Sequence, residues 1–436
     1  MPKRSHPSLD ASLHSASTAS TTHPNDNIKT HRDMRQLANS RSFAASLLDP
    51  QRLSTSSQTR QSITSSTIPQ IAESRPKDFS FLLRPEIYHP LTPLNVPAAF
   101  RNSPKQPDSS APLESLLAKG HFRAAAIAAV QQLTGSGGAG GAVESTDSQR
   151  IFDLLYTRLV CLTLIDATSL AAQEVKALED LSNARIYVDD RTGEHLVPWD
   201  LRVLNVRLQA LGFGDPRRAV MSYYDLAREA RSHAAKAAAA QRDDSASELW
   251  KTRLHELGVK VAGALIDMDD LSGAAHHLDT LKDGGDGKIA LSKALLWLHL
   301  GDVDKAKGCA RQCGTDIGAA VTERIILALC HMADDEYEAA LETWQGLKGD
   351  LPGDEMVGVN AAVCLLYLGR MQEGRDVLEA LVESGFSSRT LLFNLSTMYE
   401  LCTEKHRGLK TELAERAAGM EESATGWEKT NADFKL

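Results

Sequence analysis

The sequence predicts an all-α protein, an α-solenoid of stacked helix pairs that follows a disordered N-terminal tail. From Pro112 onward, Ala, Leu, Glu, Lys and Arg dominate, and no alternating strand pattern appears. Aromatic residues make up only 5% of the 436 residues, which does not suit the aromatic-rich strands of a β-sandwich. A short phrase of residues also recurs in the C-terminal half, and such recurrence is typical of repeat architectures.

Residues 1–80 are predicted to form a disordered tail rich in Ser and Thr. They contain 25 Ser or Thr residues, and their apolar residues recur with neither a helix nor a strand period. Such a composition buries too little apolar surface to offset the conformational entropy lost on folding. An Arg- and Ser-rich beginning is also typical of mitochondrial presequences. We favour the solvated tail, because no basic amphipathic helix stands out and Asp10 interrupts the stretch.

Residues 81–111 are predicted to form an extended, Pro-rich arm. Six prolines punctuate this segment and disfavour a helix. Bulky side chains lie between them, among them Phe81, Tyr88 and Phe100. An arm that packs these aromatic rings on the folded part or on a partner explains them better than a plain linker does.

Residues 249–422 are predicted to form regular repeats with a C-terminal cap. The recurring phrase places Gly or Asp, then a bulky residue, then a small residue at a helix–turn–helix junction. Its four instances are DDLSGA at 269–274, GDVDKA at 301–306, DEYEAA at 335–340 and GRMQEG at 369–374. Their small residues are 32, 34 and 34 apart, and 34 is the tetratricopeptide period. The sequence therefore predicts a right-handed tetratricopeptide-type solenoid, in which the small residue lets two helices cross closely.

Residues 112–248 are predicted to form irregular helical repeats. The same phrase occurs there as GHFRAA at 120–125 and GDPRRA at 214–219, but loops at 134–148 and 183–198 break the spacing. The helix expected near 408–422 is polar enough to cap the array. The last residues, 423–436, are expected to form a flexible tail.

No stretch of the sequence carries a convincing catalytic, cofactor or metal site. Residues 135–140 match GxGxxG, but a helix precedes them where a dinucleotide-binding unit needs a strand. The Gly-rich turn at 282–288 lacks the first glycine and the Ser/Thr of a phosphate-binding loop. Cys309 and Cys313 share one helix, but zinc requires four converging ligands. We therefore expect a non-enzymatic protein without cofactor, metal or small-molecule substrate.

A partner-binding groove is predicted on the concave face of the repeats. In tetratricopeptide arrays the first helix of each pair lines that face with its fifth and ninth positions, and here none of those positions is charged. The candidate residues are Leu291, Ile325, Leu329, Val359, Val363 and Phe393. Large open apolar patches are rare, so we expect the arm, a neighbouring helix or a partner subunit to fill the groove. A superhelix that closes the groove on itself is the alternative.

Composition narrows the class of partner. The net charge of −9 argues against nucleic acid as the main partner. The six cysteines are scattered, as is usual for reduced cytosolic proteins. No run of 18 apolar residues occurs, so the sequence predicts no transmembrane helix.

Two segments of the last repeats carry a specific resemblance. Residues 359–369 (VNAAVCLLYLG) and 391–401 (LLFNLSTMYEL), with 249–251 (LWK) before them, resemble the trafficking protein particle (TRAPP) complex subunit 12 family. The resemblance implies a non-catalytic subunit of a tethering and Rab-exchange complex that acts in endoplasmic reticulum–Golgi transport and autophagy. It implies the large peripheral subunits 11, 8 and 13 as partners, with indirect Rab GTPase and membrane association. It also implies a cytoplasmic protein held peripherally at endoplasmic reticulum–Golgi and Golgi membranes.

Two other classes remain open from the residues alone. One is a different repeat adaptor, such as a chaperone cofactor or a cargo-binding subunit. The uncharged groove positions argue against chaperone cofactors that clamp a terminal carboxylate with Lys and Asn. The other class is an enzyme with a helical fold, which a bound metal or nucleotide in the purified protein would reveal.

Overall fold

A computed structural model describes residues 76–137, 141–239, 244–281, 287–311 and 317–436. All of these residues fall within one compact unit of the chain. The predicted disordered tail lies outside the described residues as far as residue 75, so the prediction is not tested there. Near the start of the described residues, the side chain of Phe79 is already fully buried, so the packed part of the chain includes residue 79 of the predicted tail.

The predicted all-α solenoid is confirmed, because the described residues form helices packed one after another and contain no strand. The first nine helices in chain order are α1 Ala98–Arg101, α2 Leu113–Ala118, α3 Phe122–Thr134, α4 Ser148–Leu164, α5 Thr168–Glu174, α6 Ala184–Tyr187, α7 Trp199–Phe213, α8 Pro216–Ala239 and α9 Asp244–Asp267. The others are α10 Leu271–Thr280, α11 Gly287–Leu300, α12 Val303–Ala310, α13 Ile317–Ala333, α14 Tyr337–Asp350, α15 Glu355–Tyr367, α16 Met371–Glu383, α17 Arg389–Cys402 and α18 His406–Gly419. Short 3₁₀ turns occur at Ser80–Leu82, Pro85–Ile87, Val175–Leu178 and Asn431–Phe434. Among the described helices, none combines the length and the apolar character needed to cross a lipid bilayer.

The recurring phrase marks the turn between the two helices of a pair. Its first residue has a positive φ in all six instances, from +62° at Asp269 to +82° at Gly301. This left-handed conformation ends the first helix, and Gly or Asp adopts it more easily than most residues. The choice of Gly or Asp at this position is therefore explained by backbone geometry.

The small residue of the phrase lies where the second helix crosses the first. Ala274, Ala306 and Ala340 are fully buried. At Gly374 a Cβ atom would lie 3.0 Å from the Ala362 carbonyl oxygen of the preceding helix, which is tighter than ordinary van der Waals contact. The close crossing therefore explains the small residues.

A seventh junction of the same kind escaped the sequence analysis. Asp166 has a φ of +62° between α4 and α5, and Ala171, five residues later, is fully buried. The stretch DATSLA at 166–171 has Thr where the other instances have a bulky residue or proline. A helix–turn–helix junction is therefore marked more generally by two features than by the full phrase. These are a residue in the left-handed conformation and a small buried residue five positions later.

The core consists of successive apolar clusters, as expected when each repeat packs mainly on its neighbours. One cluster holds α2 to α7, the next joins α7 to α10, and two more follow along α9 to α15. The last cluster joins α15 to α18 and also contains Val96 and Phe100 of the Pro-rich arm. The first cluster contains Leu82 and Tyr88 of the same arm, so the arm is part of the core at both ends of the array.

Replacing Ala340 with leucine is expected to destabilise the chain by about 1–3 kcal/mol, because the added volume must enter a filled helix crossing. Ala340 is fully buried on α14. Urea unfolding followed by circular dichroism measures the change. Ala380, which is exposed on α16, offers the control: Ala380→Leu should leave the unfolding midpoint unchanged. An equal midpoint for the two variants would show that the crossing is not tight.

Candidate partner-binding surface

The six predicted groove residues lie on the first helices of four consecutive pairs. Leu291 is on α11, Ile325 and Leu329 are on α13, Val359 and Val363 are on α15, and Phe393 is on α17. Sequence reasoning thus assigned them to the correct kind of helix. Whether they bind a partner depends on how far the neighbouring helices cover them.

Part of this row is enclosed by the chain itself. Ile325 and Val359 are only 9% and 6% exposed, so they offer almost no surface to a partner. Leu291 and Leu329 are half-buried and pack against the cluster that contains Ile325. Leu291, Ile325 and Leu329 therefore lie together and contribute to the packing between neighbouring repeats. Val363 and Phe393 are half-buried as well.

The far end of the row is covered by the C-terminal segment. Lys435 Nζ lies 5.3 Å from the centre of the Phe393 ring, a cation–π contact. The same ammonium group pairs with Glu400, which also accepts a 2.6 Å hydrogen bond from the buried Lys410. Burial alone would raise the pKa of Glu400, but the hydrogen bonds from Lys410 and Lys435 lower it. The carboxylate therefore stays charged and holds the segment over Phe393.

The prediction of a flexible tail at 423–436 is wrong. Trp427 is 3% exposed, and Phe434 and Asp433 are fully buried. The Phe100 and Trp427 rings meet edge to face with their centres 5.3 Å apart. The composition of this segment is polar, so the sequence analysis treated it as solvated. Its Trp and Phe were the signal that could have indicated packing.

The C-terminal segment clasps the beginning of the described chain. The Asn431 amide donates to the Asn95 carbonyl at 2.7 Å, and the Trp427 amide donates to the Gly120 carbonyl at 3.2 Å. Arg123 Nε donates to Glu428 at 2.6 Å across a mostly buried contact. We call this contact between residues 92–123 and 418–436 the terminal clasp. It joins parts of the chain about 300 residues apart in sequence.

Ionic groups reinforce the terminal clasp. Lys119 and His121 both contact the Glu422 carboxylate, at 3.0 and 2.9 Å, and the hydrogen bond from Lys119 contributes most to lowering the pKa of Glu422. Burial lowers the pKa of Lys429, whose Nζ donates to the Gly426 carbonyl, to about 8. Arg389 of α17 donates to the Leu164 carbonyl at the α4–α5 turn. Lys119 and His121 thus fasten the C-terminal segment to the turn between α2 and α3, and Arg389 fastens α17 to the end of α4.

The N-terminal part of the arm is anchored by a buried ion pair. Arg158 Nη2 donates to Glu174 Oε1 at 2.7 Å, and the two side chains are 2% and 0% exposed. Both also bind the arm: Arg158 donates to the His89 carbonyl at 2.7 Å, and Glu174 accepts from the His89 amide at 2.8 Å. The chain's own helices therefore receive the arm here, and Phe79, Leu82 and Tyr88 pack in the same cluster.

Three of the described cysteines, Cys161, Cys330 and Cys364, are buried and unsuited to nucleophilic chemistry. Burial raises the pKa of Cys161 and of Cys364 to about 12 and that of Cys330 to about 11, so their thiols stay protonated at neutral pH. In the described part of the chain, no three His, Cys, Asp or Glu side chains are grouped to hold a metal ion. Cys313, residues 138–140 of the GxGxxG match and residues 282–286 of the Gly-rich turn lie outside the described residues.

Comparisons with known proteins agree with the resemblance found in the sequence. No family model matches the chain. The chain is 25% identical over 346 residues to human trafficking protein particle complex subunit 12. The matched region covers 71% of this chain and 46% of the human protein. It is 23% identical over 342 residues to the mouse protein of the same name, covering 71% of this chain and 43% of that protein. The chain thus matches less than half the length of these curated relatives, and the resemblance to the subunit 12 family is confirmed.

Proposed function

We propose that this chain is a scaffold subunit of a TRAPP-type vesicle tethering and Rab-exchange complex. In this proposal it acts through protein–protein contacts in endoplasmic reticulum–Golgi transport and autophagy, and it carries no catalytic step. Its partners are the large peripheral subunits 11, 8 and 13, through which it meets Rab GTPases and membranes indirectly. Its place is the cytoplasmic side of endoplasmic reticulum–Golgi and Golgi membranes.

The observation that carries this proposal is the similarity to subunit 12 over most of the chain. The fold supports it, because a helical-repeat array exposes a long surface built from successive pairs and suits contacts with several proteins at once. The terminal clasp supports a scaffold as well. By tying the first helices to the last, it limits how far the repeats can flex and keeps a binding surface preformed.

The proposal is tested by purifying the tagged full chain from its own cells and identifying co-purifying proteins by mass spectrometry. We expect the other TRAPP subunits to co-purify with the tagged chain in repeated purifications, and we expect the large peripheral subunits to be the most enriched. Recovery of chaperones without TRAPP subunits would favour a chaperone cofactor instead. Recovery of neither would contradict the proposal.

Replacing Val363 and Phe393 together with aspartate tests the predicted groove. Both side chains are partly accessible, so the variant should fold. The carboxylate at position 363 should oppose binding of an apolar partner because burying an unpaired charge is costly, and the one at position 393, within reach of Lys435, replaces the apolar ring that a partner would contact. We expect at least a tenfold loss of co-purifying subunits, since one mispaired buried charge costs more than about 1.4 kcal/mol. Quantitative mass spectrometry against the unaltered chain measures it.

The matched control replaces two exposed apolar residues on second helices of the pairs. Leu271 at the start of α10 is 42% exposed and Met371 at the start of α16 is 37% exposed, so Leu271→Asp with Met371→Asp adds the same charges on helices that do not carry the groove residues. This control should keep its partners. Full assembly of the groove variant would reject the groove as an interface. Unfolding of the groove variant alone would mean that the row is internal packing and that partners bind elsewhere.

A further inference from the structure

The helix α8 presents a long basic face in a chain whose residues are net acidic from position 81 onward. Five of its exposed side chains are basic, and the exposed acidic side chain on this helix, Asp225, pairs with one of them, Arg228. The basic residues are Arg217, Arg218, Arg228, Arg231 and Lys236. Their spacing places them along one side of the helix over ~30 Å. The whole chain has a net charge of −9, so this face differs in sign from the average surface.

Apolar side chains stand at the N-terminal end of this face. Phe213, at the end of α7, is 51% exposed, and Met221 on α8 is 64% exposed. Cations flank the Phe213 ring, with Lys176 Nζ 5.0 Å and the Arg218 guanidinium 4.9 Å from its centre. Met221 follows Arg218 by three residues and so lies on the same side of α8. Two exposed apolar side chains are thus set among cations.

We propose that this basic–apolar face, formed by Phe213, Met221 and the basic residues of α8, binds directly to the surface of an anionic lipid bilayer. The Arg and Lys side chains attract phosphate and carboxylate headgroups, and the Phe213 and Met221 side chains enter the boundary between headgroups and acyl chains. A cationic patch or a few apolar side chains alone bind membranes weakly, and the two together give stable attachment.

The shape and the charge of the molecule both favour a bilayer over an acidic peptide. The exposed side of a single helix is convex, whereas peptide-binding sites are grooves that enclose the anchoring side chains. Phe213 and Met221 are instead 51% and 64% exposed, so both side chains offer apolar surface to a membrane. Anionic lipid attracts this basic face and repels acidic parts of the surface, which favours approach through α8. This direct contact adds to the indirect membrane association of the proposed function and does not depend on membership of a TRAPP-type complex.

Flotation of the full chain with lipid vesicles tests this inference. One set of vesicles contains phosphatidylcholine alone, and the other contains about one third phosphatidylserine, at roughly 0.1 M NaCl. We expect the chain to float with the anionic vesicles and not with the neutral ones. Raising the salt to about 1 M should release most of it, because the screening length falls to about 3 Å. No flotation of the unaltered chain with anionic vesicles would overturn the inference.

Two pairs of substitutions separate the charges from the apolar anchors. Arg217→Gln with Arg218→Gln should weaken vesicle binding about 25-fold, which is about fivefold for each basic side chain removed. Phe213→Ser with Met221→Ser should weaken it about tenfold or more. The far-ultraviolet circular dichroism of both variants should match that of the unaltered chain, because all four side chains are exposed.

Matched controls carry the same changes elsewhere on the surface. Lys405 and Arg407 are exposed near the start of α18, so Lys405→Gln with Arg407→Gln removes two charges away from α8. Met356→Ser with Leu401→Ser removes two exposed apolar side chains. Both controls should bind vesicles as the unaltered chain does, and an equal loss in the controls would overturn the inference. In the contrary outcome, the Phe213/Met221 variant binds vesicles as well as the unaltered chain does, and both bind soluble polyglutamate equally well. That result would assign the face to an acidic protein partner instead.

Discussion

Replacing Arg158 with methionine is expected to destabilise the chain by about 3–5 kcal/mol, the typical result of removing one partner from a buried ion pair. Glu174 is fully buried beside it and would lose the guanidinium that compensates its burial. The His89 carbonyl would lose its 2.7 Å hydrogen bond in the same step. Urea unfolding at pH 7 measures the stability. Hydrogen exchange of residues 79–89 should rise as the arm loosens.

Two further variants test whether the unpaired charge is the cause. Arg158→Met with Glu174→Met removes both charges and should recover part of the lost stability, because well-packed apolar groups can replace a buried ion pair. Arg370 forms a 2.6 Å ion pair with Glu373, but both side chains are about half-exposed. Arg370→Met should therefore leave the unfolding midpoint in place. If the double variant is no more stable than Arg158→Met, the charge of Glu174 is not the source of the loss.

Replacing Gly120 with alanine is expected to open the terminal clasp and lower the stability by about 2–5 kcal/mol, from left-handed strain of about 1–2 kcal/mol and overpacking of about 1–3 kcal/mol. Gly120 has a φ of +73°, and a Cβ atom there would lie 2.2 Å from the Ser423 carbonyl oxygen and 2.7 Å from Gly426 Cα. Both neighbours are backbone atoms, so the C-terminal segment must move away. Urea unfolding and hydrogen exchange of residues 423–434 measure the two effects.

Gly369 provides the matched control for that substitution. Its φ is +76°, but a Cβ atom there would meet nothing within 4 Å. Gly369→Ala therefore carries the backbone strain without the collision and should lose only about 1–2 kcal/mol. Equal losses in the two variants, with unchanged exchange of the C-terminal segment, would show that the clasp does not require close approach at Gly120.

The helix pairs were predictable because their signals are local. The left-handed turn needs Gly or Asp at its first position, and the close helix crossing needs a small residue five positions later. Both requirements fall within one short phrase, so the repeats could be found from residue types and spacing alone. The Asp166 junction was missed because the sequence analysis also required a bulky residue between them.

The sequence predicted which helices carry the groove residues, but it did not predict how exposed those residues are. The repeat register places Ile325, Val359 and Phe393 on first helices, as the structure confirms. Their accessible surface depends on neighbouring helices and, for Phe393, on Lys435 of the C-terminal segment. No feature near these residues in the sequence indicates how the neighbours cover them.

The sequence by itself determined the helical class, the turns and the register of the regular repeats, because each depends on residues within one or two helical turns of one another. Only the tertiary structure decided the terminal clasp and the burial of Trp427 and Phe434 in a segment of polar composition. The clasp joins Asn95 and Gly120 to residues about 300 positions later, and contacts so distant leave no periodic pattern in the chain. Their free energy comes from apolar surface and hydrogen bonds that exist only once the intervening helices have stacked and brought the two ends together.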